Sequence, residues 1–311
     1  MTVCRIAYSG NLRIGIHTST AGALENSARK AAELGANTFQ IFSSSPRMWR
    51  ARRPESAQIR AFQQLREKHD LRPVAIHDSY LINLAAPAST IRQNSIDAFR
   101  GEIERALLIG AEYLVAHPGN YKGVTVEQGM LNVAEALALA WRAVDPALTH
   151  NPKLTILLEN TAGAGAQLGG NLDEIAAIRQ VVSPYIDLPI GFCIDTCHCY
   201  VSGLDISQEA GLERFVAQAA ETLGWDHVPV IHTNDAKMKL GSHLDRHANI
   251  GEGYIGLEGF RRILNHPVLR EKAFILETPV DKPGDDLRNV RALQSLVALP
   301  QKAGTRRAKR A

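Results

Sequence analysis

The sequence predicts an α/β protein built as a single TIM (β/α)8 barrel, and three observations predict it. Eight short apolar runs recur along the chain with helical stretches between them. The runs are nearly continuous, as parallel strands covered on both faces require, and do not alternate like a half-exposed antiparallel sheet. Seven of the eight also end in a histidine or a carboxylate, and in such a barrel every strand C-terminus opens onto one face.

In order, the runs are IGIHTS from Ile14, TFQIFSS from Thr38, PVAIHD from Pro73 and YLVAHPG from Tyr113. The second half repeats the scheme with LTILLEN from Leu154, IGFCIDTCH from Ile190, VPVIHTND from Val228 and FILETPV from Phe274. Helices are expected between them. Examples are Ser19 to Leu34, stopped by Gly35, and Pro54 to Lys68, with Ile59, Phe62 and Leu65 on one face. No linker divides these elements, so one domain is expected over residues 1–299. The segment 300–311 is basic, lacks apolar periodicity and is expected to be a disordered tail.

The 311 residues are 45% hydrophobic and 22% charged, the composition of a folded soluble domain. No stretch approaches the roughly 18 consecutive apolar residues of a membrane span, so no membrane partner is expected. The N-terminal residues lack the apolar core of a secretory signal. A reducing, cytoplasmic location is therefore expected, nucleoid-associated if the source is bacterial. The cysteines agree. Cys193, Cys197 and Cys199 crowd into CIDTCHC without paired C-x-x-C spacing, and with Cys4 they are expected to be free thiols, the crowded three acting as small apolar residues. Net charge is +3, but Lys302, Arg306, Arg307, Lys309 and Arg310 of the tail supply five positive charges, and removing them leaves −2. Affinity for a polyanion must come from local clusters and the tail.

The strand ends carry the chemistry. His17, His77, His117, Glu159, Asp195, His232 and Glu277 would converge around one mouth, whereas the second strand ends in Ser43 to Ser45. A lone histidine at a strand end is more often a hydrogen-bonded structural residue than a ligand, but this set is a metal-binding inventory. Asp195 with His198, and Asp245 with His247 in Asp245-Arg246-His247, extend it. Imidazole and carboxylate donors favour zinc, manganese or iron over calcium and magnesium. They exceed what one tetrahedral ion can use, so two or three ions with a bridging carboxylate are implied, and clustered ions point to phosphate ester hydrolysis. On the same rim, the loop SSSPRMWRARRPES mixes Arg47, Arg50, Arg52 and Arg53 with Met48 and Trp49. Such a mixture suits a DNA groove, where cations hold phosphates and an apolar group wedges between bases. The alternative is a solvated helix start with Trp49 packed on the barrel. Tyr80 could fill the gap left by a flipped nucleotide or merely cap the rim.

The motifs HDSYLIN, VAHPGN, LLENTAGAG, CIDTCH, HTNDAK, DRHANIGEG and LETP, in this order, closely resemble the endonuclease IV family of abasic-site endonucleases over roughly His17 to Leu299. The resemblance implies a three-zinc site, with manganese or iron able to substitute at one position. His77 and His117 would bind the first ion, and Glu159 would bridge it to a second completed by Asp195, His232 and Glu277. The third would take His198, Asp245 and His247. Glu159 and Glu277 would be catalytic, Arg47 and Tyr80 would occupy the DNA gap, and Arg246 would lie near backbone phosphate. The implied reaction, in base excision repair, cuts duplex DNA 5′ to an abasic site, leaving a 3′-hydroxyl and a 5′-deoxyribose phosphate, with trimming of blocked 3′ ends. A monomer is expected.

Two departures stand out. Relatives often have an asparagine before the Pro-Arg where this chain reads SSSPRMW, and the tail runs past the family's usual end, to add phosphate affinity or only solubility. Two rivals remain. A barrel sugar isomerase or epimerase would need about four ligands and a proton-transfer residue, and the surplus of histidine decides against it. A noncatalytic lesion binder would use metals only to shape the cleft.

Overall fold

A computed structural model describes residues 12–150 and 152–298; Cys4 and the basic segment 300–311 lie outside the described residues. Eight parallel strands close into a barrel. They are β1 (Arg13–His17), β2 (Thr38–Phe42), β3 (Val74–His77), β4 (Tyr113–Ala116), β5 (Thr155–Glu159), β6 (Ile190–Asp195), β7 (Val230–His232) and β10 (Ala273–Leu276). Around the ring they follow the order β1-β10-β7-β6-β5-β4-β3-β2. Each falls on one of the eight expected runs. Between β7 and β10 lies a ribbon the sequence did not announce, in which β8 (Asp235–Ala236) pairs antiparallel with β9 (His247–Ala248).

The period of two along each strand builds two separate cores. Leu114 and Ala116, Ile156 and Leu158, and Phe192 and Ile194 face the helices and join the main core. The alternate residues Ala75, Val115, Leu157, Cys193, Val230, Ala273 and Ile275 form a distinct apolar cluster inside the barrel. Two residues beyond six of these stand His77, His117, Glu159, Asp195, His232 and Glu277. A strand that buries Leu157 inside the barrel must therefore also point Glu159 inward, one layer higher. The donor layer rests on an apolar floor.

The helices are α1 (Leu24–Glu33), α2 (Ser56–Lys68), α3 (Thr90–Ile109), α4 (Val126–Arg142), α5 (Leu172–Val182), α6 (Thr196–Ser202), α7 (Glu209–Thr222), α8 (Gly256–Asn265) and α9 (Asp285–Leu296). Several starts are set by side chains that accept the otherwise unpaired N–H groups: Ser89 from Arg92, Thr125 from Gln128 and Asn171 from Asp173. The expected first helix is shorter than its apolar pattern suggested. Ser19 to Ala23 form a loop because the Ser19 hydroxyl accepts the Ala21 N–H and Gly22 takes φ +82°, closing a turn before Leu24. The second begins two residues after Pro54, where Glu55 and Gln58 form a reciprocal capping box.

Candidate metal centre

Glu159, at the end of β5 and fully buried, is the hub of the donor layer. Its Oε2 lies 3.2 Å from His77 Nε2 and 3.1 Å from His117 Nε2. Its Oε1 lies 2.8 Å from His232 Nδ1, which in turn stands 3.3 Å from Glu277 Oε2. Asp245 joins two further imidazoles, with Oδ2 3.3 Å from His198 Nε2 and Oδ1 3.2 Å from His247 Nε2. The structure thus gathers all nine expected donors into three groups able to hold a metal: His77, His117 and Glu159; Glu159, Asp195, His232 and Glu277; and His198, Asp245 and His247. His17 belongs to none of these groups. Its Nδ1 sits 4.0 Å from Glu277 Oε1 and 3.2 Å from Gln40 Nε2.

Local structure explains how distant residues meet. Asp195 closes β6 and caps α6, its Oδ1 accepting the His198 N–H at 2.8 Å, so one turn delivers both side chains. His247 comes from β9, and the ribbon is pinned by Asp235. That buried carboxylate accepts backbone N–H groups from Ala236, Gly251, Gly253, Ile255 and Gly256 at 2.9 to 3.3 Å. Gly253 is required there, since a Cβ would lie 2.4 Å from Asp235 Oδ1.

Four of the five imidazoles, those of His77, His198, His232 and His247, have one nitrogen committed to a hydrogen bond and the other facing carboxylate. His77 Nδ1 donates to the Asp78 carbonyl at 2.9 Å, His198 Nδ1 to the Asn160 carbonyl at 2.9 Å, and His247 Nδ1 to the Glu277 carbonyl at 3.2 Å. In these three, Nε2 is left as the donor atom for a cation. His232 is reversed, with Nε2 bonded to Gln40 Oε1 at 2.8 Å and Nδ1 facing the carboxylates. The buried His247 Nε2 lies 3.2 Å from Asp245 Oδ1 but, among the described residues, has no partner aligned for a hydrogen bond. Imidazole and carboxylate lone pairs converging at these distances fit a divalent cation.

Electrostatics agree. Burial alone would lower the histidines, but Glu159, Glu277 and Asp78 lift His77 to about 9, and Asp195, Asp245 and Glu159 lift His198 to about 10. Burial would raise Glu277, yet His232, His77 and His247 hold it near 2. The cluster demands positive charge, which protons or bound cations can supply. His17 behaves otherwise: burial, with His77 and His232 nearby, pulls it down to about 4. Burial pushes the Cys193 thiol up to about 12 and those of Cys197 and Cys199 further still. All three are free and buried, so they remain protonated bystanders even though Cys193 lies against Glu159 and His232.

Three amides escaped sequence reading. Asn234 donates to Asp195 Oδ2 at 2.6 Å and to Glu277 Oε2 at 3.3 Å, and accepts the Glu277 N–H at 2.7 Å. Asn160 accepts the Asp195 N–H at 2.7 Å. Gln40, buried in β2, reaches Glu277 Oε1 at 2.6 Å. The available signal was a polar residue inside or directly after an apolar strand run.

The mouth is a cleft of about 670 Å³ whose wall includes His17, Tyr80, Lys237, Arg246 and Asp281. Tyr80 is 72% exposed and meets Phe42 edge-on, with ring centroids 5.1 Å apart. Arg47 and Met48 are exposed on the rim, whereas Trp49 is half-buried against the main core, so packing is its role. Arg53, expected among the rim cations, is committed to Glu104 and Asp145.

Fold and site together define a (β/α)8 barrel of the metal-donor-lined, xylose isomerase-like class. The family model described as Xylose isomerase-like TIM barrel matches residues 28–299. Within that class, the protein named "Probable endonuclease 4" of Solibacter usitatus is 54% identical over 285 residues, covering 92% of this chain and 97% of that protein. Its namesake in Halothermothrix orenii is 39% identical, covering 86% and 94%. Among solved structures, endonuclease IV from Thermus thermophilus superposes with a TM-score of 0.79 at 35% identity, covering 91% of this chain and 98% of that one. The chain belongs to the endonuclease IV family and is a phosphodiester hydrolase. A D-tagatose 3-epimerase-like protein superposes with a TM-score of 0.65 at 18% identity, a likeness of fold alone.

Proposed function

We propose that the protein hydrolyses the phosphodiester 5′ to an abasic site in duplex DNA, leaving a 3′-hydroxyl and a 5′-deoxyribose phosphate, and also trims blocked 3′ ends. The observation that carries this reading is the placement of Glu159, with one oxygen facing His77 and His117 and the other facing His232. A carboxylate so placed could serve two cations, one held with His77 and His117 and the other with His232. Three zinc ions fit the three donor groups, with manganese or iron tolerated at one. Bound cations would acidify a water molecule and neutralise charge developing on phosphate oxygens.

The protein's own groups do the rest. Glu159 and Glu277, the proposed catalytic carboxylates, concentrate negative charge beneath the cleft, and Gln40 and Asn234 keep Glu277 from swinging away. Tyr80 and Arg47, both exposed, would fill the stack opposite an everted nucleotide, and the exposed Arg246 would meet backbone phosphate. Selectivity follows from shape, because a sugar without its base is cheap to unstack and fits a cleft that an intact nucleotide would clash with.

An abasic duplex incubated with the protein, with and without chelator, tests this directly. Incision that chelator abolishes and zinc restores is expected, with three metal ions per chain by elemental analysis. Glu159→Gln and Glu277→Gln should each abolish incision while the fold persists. Near-normal turnover in either variant would overturn the proposal, and lesion binding without incision would favour the noncatalytic alternative.

A further inference from the structure

We propose that Gln40 is a positioning residue that orients both His232 and Glu277 from beneath the metal centre. The inference rests on the reading of this site as a metal centre. Gln40 is buried in the middle of β2, on the inward-facing side two residues before Phe42, at the level of the apolar floor. An amide in such a layer is costly unless every polar atom is partnered. Each one is, and each partner belongs to the mouth: Oε1 accepts from His232 Nε2 at 2.8 Å, while Nε2 donates to Glu277 Oε1 at 2.6 Å and to His17 Nδ1 at 3.2 Å.

The orientation of the amide is not free. Flipping it would set its oxygen against the Glu277 carboxylate, so Glu277 fixes the amide and the amide fixes His232. With Nε2 obliged to donate, His232 must offer Nδ1 upward to Glu159 and Glu277. His77, His198 and His247 instead offer Nε2, because backbone carbonyls hold their Nδ1 atoms. Where those three rely on main chain, His232 relies on one side chain from β2, three strands away round the ring. Glu277 is gripped from two directions, by Gln40 at Oε1 and by Asn234 at Oε2. Gln40 thereby couples two donors of a single metal group.

The test compares wild type, Gln40→Met and Gln40→Glu as zinc-loaded proteins with ¹⁵N-labelled histidine. Wild type should show one ligating histidine with its proton on Nε2, slow to exchange with water. Gln40→Met, which keeps length but removes both hydrogen-bonding functions, should lose that protected proton and surrender zinc to chelator about 10–100-fold more readily. Its kcat on an abasic duplex should fall by a similar factor, with KM changed less than about twofold. Gln40→Glu keeps the acceptor for His232 but not the donor for Glu277, so it should rescue the protected proton and not kcat. A zinc-loaded Gln40→Met enzyme with the wild-type proton signature, zinc retention and kcat overturns the role of Gln40, as does a Gln40→Glu enzyme with wild-type kcat. Should Gln40→Met fail to fold, the Gln40→Glu outcomes decide alone. Failure of wild type to hold zinc would instead refute the metal reading, so the two failures are distinguishable.

Discussion

Replacing Asp235 by asparagine should loosen the ribbon carrying His247 before it disturbs the barrel. Oδ1 of Asp235 receives N–H groups from Ala236, Ile255 and Gly256, and Oδ2 receives those of Gly251 and Gly253. An asparagine of the same shape keeps only one acceptor oxygen, so at least two of these donors would face an NH₂ group. Each stranded donor costs about 1–3 kcal/mol. The loss is then about 2–6 kcal/mol, which for a chain of this size lowers Tm by roughly 3–9 °C. Because β8 and β9 pair through Asp235 and Ala248, and His247 is the neighbour of Ala248, the group of His198, Asp245 and His247 should release its metal first. Scanning calorimetry and elemental analysis after dialysis read both effects. A variant melting within about 1 °C of wild type with full metal content would refute the reasoning. Gly253→Ala attacks the same contact from the other side and should behave alike.

Three other outcomes follow from the geometry. In protein stripped of metal by chelator, His77, His198 and His247 titrate near 9, 10 and 9, above their unfolded value of 6.5. Their contribution to stability is complete below about pH 6.5 and is lost as pH rises through 9 to 10, so Tm should fall over that window; a flat profile would contradict it. Thiol reagents at pH 8 should leave Cys193, Cys197 and Cys199 of the native protein unmodified and react with them only after denaturation, which a colorimetric thiol count measures. Arg47→Ala should weaken abasic-duplex binding and reduce the salt slope by about one charge. Arg53→Ala should leave binding nearly unchanged, since that guanidinium is already engaged by Glu104 and Asp145.

The donors were legible because barrel closure is a strong geometric rule: a His or Glu ending an apolar strand has only the mouth to face. Six of the nine, His77, His117, Glu159, Asp195, His232 and Glu277, lie where that rule puts them, whereas His198 sits on α6 and Asp245 and His247 come from the ribbon. What the sequence hid was whatever depends on contacts between loops. The ribbon consists of two-residue strands, too short for any periodicity, and it exists because Asp235 collects N–H groups from residues 251–256. Gln40 looked like an interruption in TFQIF, and only closure of the barrel brings His232 and Glu277, three and two strands round the ring, against it. Trp49 and Arg53 carried the right residue types for a DNA groove, but Trp49 packs on the core and the Arg53 guanidinium is paired with Glu104 and Asp145. The first helix was overread at its start, where a serine turn and Gly22 break a pattern that hydrophobic spacing alone would extend.

Closure of the ring between β1 and β10 also sets the moment at which the protein becomes able to act. Glu277 follows β10, the last barrel strand among the described residues, so a growing chain carries the other eight donors before the group that completes them. A partly made chain can hold ions only loosely, and tight capture reports that the circle has shut. Metal uptake during refolding is therefore a clock for the final step of assembly and should lag behind the appearance of helix.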